Sequence, residues 1–480
     1  MGALDGVTVL DCSEPRGHFA GKLLAGLGAD VIKIEPPGGD VGRSYGPFLH
    51  DQPGPERSLY WWHYAAGKRS LALDLHSADG LELFLQLTAE ADIVLETCQP
   101  GRDRPFDPLA LSEYRPELVV VSLTPFGQTG PWRDYAWSDA VGLALGGPMG
   151  SCGYDNLPGT PPIRPTEHHA GHIAGYFAAT AACTALYERQ ESGLGQHIDI
   201  GMHECMGFTI ESSAPWALYE QHPLIRQAGR HAGPQPTEPW QYPTADGRLI
   251  NIFGMPRSEA SWLALVAFIQ EHGMGENLSD YELLDGRKRQ LGLQQPSVAT
   301  MLDDIADFIA AHEAEEIYAG AQASGAAWSI IRTPDECLAD EHWHARGFFV
   351  DVEHEERNLT VTFPGAPYIL SETPWTHARR APLLGEHTRE ILCGQLGLSD
   401  DDRGARPPSA VPQPPTTRPA AADAADQPDQ PDNRESRKSA AGPTPSPRPN
   451  RQSADAAGAA ARVALPSDPS DAARSSACRE

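Results

Sequence analysis

Basic residues are scarce in this 480-residue chain: 37 lysines and arginines stand against 65 aspartates and glutamates, for a formal net charge of −28 and a pI near 5.0. A surface of that sign repels nucleic-acid phosphate and anionic membrane, so neither is expected as a general partner. A local basic pocket for a small polyanion stays open. Long apolar runs are missing too. None reaches the roughly 18 residues of a membrane span, and the opening MGALDGVTVLD lacks the basic segment and apolar run of a signal peptide. Gly6 stands where an acylated Met-Gly terminus carries Ser or Thr. The eight cysteines, at 12, 98, 152, 183, 205, 337, 393 and 478, form no CxxC pair and fit no zinc spacing, so no metal site is expected. They read as mostly buried, reduced thiols of a cytoplasmic protein. The first strand–helix turn, SEPRGHFAG, is not GxGxxG, so NAD is not expected. No internal repeat is evident.

The length allows two or three domains with ample core. Residues 6–12 (GVTVLDC) and 29–35 (ADVIKIE) have strand character, and Phe19, Leu23, Leu24 and Leu27 share one face of a helix between them. Strand, helix and strand make a βαβ unit with a right-handed crossover. Further strands are expected at 70–75, 91–96 and 118–123, with a helix near 79–89. The last of these strands, LVVVSL, is nearly all apolar, as inside a parallel sheet, and runs into the turn-rich TPFGQTGP. The stretch 163–204 reads as a loop, a long helix, a glycine turn and a strand. In it Ile173, Ala174, Phe177, Ala178, Ala181, Ala182 and Leu186 recur at helical spacing, and Gly193 and Gly195 end the helix. Residues 203–220 read as another helix. From 225 to 330 the pattern is that of a smaller α+β domain: short strands near 241–251, helices at 259–270 and 305–319, the second ended by Gly320, and a strand at 328–331. Strands at 348–353 and 359–363 then return toward the large domain. From 399 to 480 the chain is rich in Pro, Ala and Asp without aromatics, too polar to offset chain entropy, and is expected to be disordered.

Six segments in order resemble one family. They are GVTVLDCSEP…GKLLAGLGADVIKIEPPGGD, GKRSLALDL at 67–75, FGQTGP at 126–131, GLGQHID at 193–199, ARGFF at 345–349 and PLLGEHT at 382–388. Together, over residues 3–398, they are similar to the family III CoA-transferases (CaiB/BaiF), which include formyl-CoA, carnitine-CoA and benzylsuccinyl-CoA transferases. The resemblance implies an α/β fold: a Rossmann-like, CoA-binding large domain built from 1–224 and 331–398, a small α+β domain inserted at 225–330, and an interlocked dimer. It implies acyl-CoA and an organic acid as substrates, with coenzyme A exchanged rather than permanently bound. A carboxylate attacks the thioester to give a mixed anhydride, CoA thiolate converts it to an enzyme thioester, and the acceptor acid reverses the exchange. Backbone N–H groups stabilise the oxyanions.

In that family the aspartate lies seven residues after the Arg of a P-x-R-like segment and four before the Gly of an A-G run. Arg164 and Ala174-Gly175 are in register here, and Gly171 stands at the aspartate's position. Glu167 is the closest carboxylate, flanked by His168 and His169; it either substitutes or complements the helix N-terminus. The two histidines read as acid/base candidates or as ordinary polar residues. The related racemases carry His before Asp139, where this chain has Ser138, so their proton exchange is disfavoured. By the same resemblance Lys68 and Arg69 are candidate CoA-phosphate contacts, the alternative being exposed strand-edge charges. Arg43, Glu96 and Arg104 are further CoA-side candidates, and Gly127 and Gly130 shape a loop. Trp61, Trp62, Trp137 and Tyr154 are acyl-pocket or core candidates. The chain is most similar to a subunit lacking the catalytic aspartate, as in heteromeric benzylsuccinyl-CoA transferase. The expected assembly is a homodimer, or a heteromer with an aspartate-bearing paralogue. The rival readings are a non-catalytic CoA-binding or regulatory subunit, and a transferase using Glu167.

Overall fold

The computed structural model describes residues 2–398 except 155–158, 165–167, 211–215, 223, 230–231, 234–238, 253–254, 257, 280–295 and 376–378. The tail expected to be disordered, 399–480, and Glu167 lie outside the described residues.

Six strands form one parallel sheet in the order β3-β2-β1-β4-β5-β6. They are β1 (Thr8–Asp11), β2 (Asp30–Glu35), β3 (Arg69–Ala72), β4 (Ile93–Glu96), β5 (Val119–Thr124) and β6 (His197–Gly201). Neighbouring residues of a strand point to opposite faces, and the sequence supplies apolar groups for both. Val9, Val31, Leu95 and Val121 pack on one face with α1 (His18–Gly26) and α7 (His169–Ser192). Leu10, Ile32, Val94 and Val120 pack on the other with α3 (Ala78–Leu87), α4 (Pro108–Tyr114), Ile391 and Leu392. Three more helices complete this part: α2 (Leu59–Ala65), α5 (Asp139–Leu145) and α6 (Pro148–Ser151).

The long helix α7 meets α1 through an alanine face: Ala170, Ala174, Ala178 and Ala182 are buried. Gly175 permits the approach, because a Cβ there would stand 3.0 Å from the Phe19 ring and 3.1 Å from the Ala20 amide nitrogen. Gly193, at φ +74°, caps the helix as expected. Phe177, expected on the core face, is exposed along with Tyr176 and Tyr187. The apolar side chains of this helix therefore cover more of its circumference than its buried stripe. After β6 the described part of the helix expected over 203–220 is α8 (Met202–Gly207) and a π-turn at Trp216–Glu220; 211–215 lie outside the described residues.

A second sheet, β7-β8-β9 (Gln241–Pro243, Leu249–Ile252, Trp328–Ile330), is antiparallel. It shares a core with α9 (Glu259–Glu271), α10 (Pro296–Ala311) and α11 (Ala314–Ala323) around Trp262, Phe308 and Trp328. The single helix expected over 305–319 is two, broken at His312-Glu313. Gly320 does not end a helix; it sits inside α11, where a Cβ would fall 2.1 Å from the Phe268 ring. Two short helices, α12 (Pro334–Leu338) and α13 (Glu341–Ala345), lead to β10 (Phe349–His354) and β11 (Leu359–Pro364). Among the described residues these last strands pair only with each other, and they pack Val352 and Phe363 against Trp61 and Trp62 of α2. Among the described residues no helix is long and apolar enough to cross a membrane. The seven described cysteines are free; only Cys205 is fully buried and Cys152 is exposed, fewer buried than expected.

Candidate active site

The chain reverses direction across the sheet between β1 and β4, since α1 leaves β1 toward one face and α4 follows β4 on the other. Open α/β sheets bind ligands at the carboxyl ends of strands at such a point. The loops after β1 and β4 are tied together there: the Glu14 amide donates to Thr97 Oγ1 at 2.8 Å. Tyr60 Oη donates to the Pro15 carbonyl at 3.2 Å, and Lys33 Nζ to the Ser13 carbonyl at 2.6 Å. The loop carrying Glu14, Pro15 and Arg16 is thus held from beneath.

That loop forms one wall of an open cleft of about 980 Å³. Tyr45 and Gly46, Trp137 to Ala140, Arg164, and His168 and Gly171 at the start of α7 also line it. The Ala170 amide donates to Asp139 Oδ1 at 2.8 Å, while Asp139 Oδ2 is buried with no partner among the described residues. His168 holds a left-handed backbone, φ +67°, just before the helix, and its ring lies 5.0 Å from Tyr60 and 6.3 Å from Tyr45. His169 is exposed and does not line the cleft. A Cβ added at Gly171 would meet the Arg16 carbonyl oxygen first, at 3.4 Å, an ordinary van der Waals contact. The backbone therefore admits a side chain at the position that the family pattern gives to aspartate.

His172, one residue on, carries no motif that singles it out in the sequence. Its Nε2 is 2.6 Å from Tyr64 Oη, and burial, with His168 and His169 nearby, pushes its pKa down to about 4. Asp139 enters the sequence pattern only as the neighbour of Ser138. Its helix-capping role is legible in hindsight from its place between a strand-end loop and α7, but no local motif marks it.

The cations assigned to CoA phosphate divide sharply. Lys68 Nζ is buried on Asp11 Oδ2 at 2.7 Å. Arg43 grips Glu35 with two 2.7 Å bonds and reaches Glu56 at 3.0 Å. Arg69 holds Asp30 (Nε to Oδ1, 2.8 Å) and Glu390 (3.0 Å). All three side chains are at most 5% exposed. The alternative of exposed strand-edge charges for Lys68 and Arg69 is corrected: both side chains are buried, and all three cations are already paired with carboxylates of this chain. Burial would raise the pKa of Asp11, but Lys68, Lys33 and His18 outweigh it and lower it to about 2. Asp40 is depressed further, as Lys33 at 3.1 Å and His18 overcome its burial.

Arg104 is different. It is half-buried; among the described residues its hydrogen-bond partner is the neutral Gln128 side-chain oxygen, at 3.2 Å, and its charge acts on Glu96. Gln128 follows Gly127 (φ +80°), and its amide donates to both Asp199 oxygens at 3.0 and 2.9 Å. Gln128 Nε2 and Thr124 Oγ1 are buried without partners among the described residues, an unusual pairing at a strand's carboxyl end. Gly130 also has positive φ, +88°, with open space around it. Glu96 is fully buried at the end of β4, and burial raises its pKa. Of the acyl-pocket candidates, Trp137 lines the cleft, Tyr154 is exposed, and Trp61 and Trp62 are core.

Comparison with known proteins agrees with this geometry. The model of CoA-transferase family III matches residues 4–388. The succinyl-CoA:(R)-benzylsuccinate CoA-transferase subunit BbsE of Thauera aromatica is 33% identical over 404 residues, covering 82% of this chain and 95% of that one. The succinyl-CoA–D-citramalate CoA-transferase of Chloroflexus aurantiacus is 34% identical over 403 residues, covering 83% and 95%. Among solved structures, a CAIB/BAIF family protein from Brucella suis superposes with a TM-score of 0.67 at 26% identity, covering 82% of this chain and 100% of that one. The chain belongs to CoA-transferase family III, whose members use CoA thioesters as substrates.

Proposed function

We propose that this chain serves CoA transfer between an acyl-CoA and a carboxylic acid as one subunit of a cytoplasmic heteromer, its paralogous partner carrying the nucleophilic aspartate. The observation that carries the reading is Gly171: it lies in the cleft wall with room for a side chain, yet has no group that can form an anhydride. The resemblance to BbsE, named as a subunit, supports the heteromer. The free thiols support a reducing compartment. On this reading the cleft binds and orients, and Arg104, beside Gln128, whose Nε2 has no partner among the described residues, takes the phosphate-contacting role in place of the ion-paired Lys68, Arg69 and Arg43.

A second reading has one observation in its favour. Asp139 Oδ2 is a partnerless carboxylate oxygen in the same cleft, so the chain would react through Asp139 itself. The test uses the purified chain alone and after co-expression with an aspartate-bearing paralogue. Succinyl-CoA and a panel of carboxylic acids are supplied, and acyl-CoA exchange is followed by chromatography. Turnover only in the co-purified pair is expected. Turnover by the chain alone overturns the heteromer; its loss in Asp139→Asn or in Glu167→Gln then says which carboxylate serves.

A further inference from the structure

We propose that His272, His312 and Glu316 form a binding site for a divalent transition cation of the zinc class, on the small domain and independent of the CoA chemistry. His272 directly follows α9, His312 directly follows α10, and Glu316 sits in the opening turns of α11. Three helix ends therefore meet at one point. Two of them are carboxyl ends, whose partial negative charge favours a cation.

Both imidazoles are oriented by the same device. Nδ1 of His272 lies 2.8 Å from the Phe268 carbonyl, and Nδ1 of His312 lies 2.8 Å from the Phe308 carbonyl. A carbonyl only accepts, so each Nδ1 carries the hydrogen and each neutral ring keeps its lone pair on Nε2. Metal-ligating histidines are held in this way, by a second hydrogen bond that fixes tautomer and ring plane. The rings cross nearly at right angles, 82°, with centroids 4.8 Å apart. His272 Nε2 is 3.1 Å from Glu316 Oε1, and one donor atom from each of the three residues lies within 4.8 Å of the others.

Two imidazoles and a carboxylate are a nitrogen–oxygen set suited to zinc. Bonds of about 2.0–2.1 Å require donor separations of about 3.4 Å, which rotation of the exposed Glu316 side chain and a small ring shift supply. Glu316 faces solvent, so water completes the fourth position. Without a metal the same contacts make a His272–Glu316 ion pair, and the Phe268 carbonyl with Glu316 raises the His272 pKa. Binding replaces that proton: the Nε2–H bond breaks, the lone pair passes to the cation, and the proton leaves to water. The bound ion would fasten α9, α10 and α11 together at one corner.

The test uses the untagged full chain, stripped with EDTA and dialysed. Co2+ is titrated while visible absorption is read, and Zn2+ is then added in competition. The expected result is one equivalent of Co2+ with tetrahedral-type absorption, displaced by Zn2+, and a rise in the melting temperature with Zn2+. In Glu316→Gln and in His312→Ala affinity falls more than about tenfold, while the metal-free melting temperature of Glu316→Gln, an exposed isosteric change, stays at the wild-type value. Sub-stoichiometric binding, or binding that Glu316→Gln leaves unchanged, overturns the site and leaves only the ion pair.

Discussion

Two regions lie along the same carboxyl edge of the parallel sheet and treat charge in opposite ways. Under β1, β2 and β3, Asp11, Lys33, Glu35, Arg43 and Lys68 interlock below the surface, each within hydrogen-bond distance of an opposite charge or a carbonyl. At the start of α7 the wall of the cleft holds Gly171, and beside it a carboxylate oxygen with no partner among the described residues. The first region is saturated; the second is open and leaves a polar atom without a partner among the described residues. The contrast teaches that the ionic residues of the family-like motif are already paired within the chain, while unpaired polar atoms gather at the cleft.

The strongest way to break the contrast is to complete the second region. Gly171→Asp places a carboxylate in the cleft, near the positive end of α7, with its Cβ in ordinary contact with Arg16. If the rest of the site is intact, the purified variant gains CoA-transfer activity of at least roughly 10³-fold over the parent chain, since losing a nucleophile costs still more in other enzymes. Steady-state exchange from succinyl-CoA to each acid checks this. A silent Gly171→Asp that still binds CoA would mean that the cleft lacks more than the nucleophile.

The saturated region predicts loss of stability rather than of binding. Lys68→Met strands Asp11 in the interior and is expected to cost about 3–5 kcal/mol in urea unfolding, with CoA affinity kept in the folded fraction. A phosphate-contacting lysine would give the reverse. The same ion pair sets an acid limit. Because the pKa of Asp11 is lowered in the fold from the usual 3.8 to about 2, its contribution is complete above pH 4 and is lost as pH falls toward 2. Urea midpoints between pH 5 and pH 2 should fall more steeply for the parent chain than for Lys68→Met.

Much of the sheet was legible in the residues. Alternation along β1, β2, β4 and β5 supplies both apolar faces, and Gly193 marks the end of α7 by its conformational freedom. The break at His312-Glu313 was not legible, because the apolar spacing continues across it and only the packing of two helices against the small sheet requires it. The pairing of β10 with β11 alone was likewise hidden, since strand character says nothing of partner choice. At the site, the expectation that Gly171 stands at the aspartate's position rests on register alone. The burial of Arg43, Lys68 and Arg69 could not be read, because their partners, Glu35, Asp11 and Asp30, lie up to 57 residues away. His172 and Asp139 carry no local signature at all.

Arg104 sharpens the comparison from the open side. Among the described residues it has no carboxylate hydrogen-bond partner, only the Gln128 amide. Arg104→Ala should weaken CoA binding by about 1–2 kcal/mol, roughly tenfold, in calorimetry. Its melting temperature should hardly move, unlike that of Lys68→Met. Equal CoA affinity in Arg104→Ala would remove this residue from the phosphate side.

The smallest effect separates two roles of one carboxylate. Asp139 Oδ1 accepts the Ala170 amide in the first turn of α7, one of the amides a helix start leaves unpaired. Asp139→Ala removes that acceptor and should cost about 1 kcal/mol of stability. Asp139→Asn keeps a carbonyl oxygen in the same place and should cost only a few tenths. If Asp139 only caps α7, both variants assemble with the paralogue, and Asp139→Asn retains the pair's turnover. If Asp139 is a nucleophile, Asp139→Asn keeps its stability yet abolishes any turnover of the chain alone, because an amide cannot form the anhydride. Urea midpoints and exchange rates measured on the same two preparations therefore tell a helix cap from a reacting group at the unsatisfied carboxylate beside Gly171.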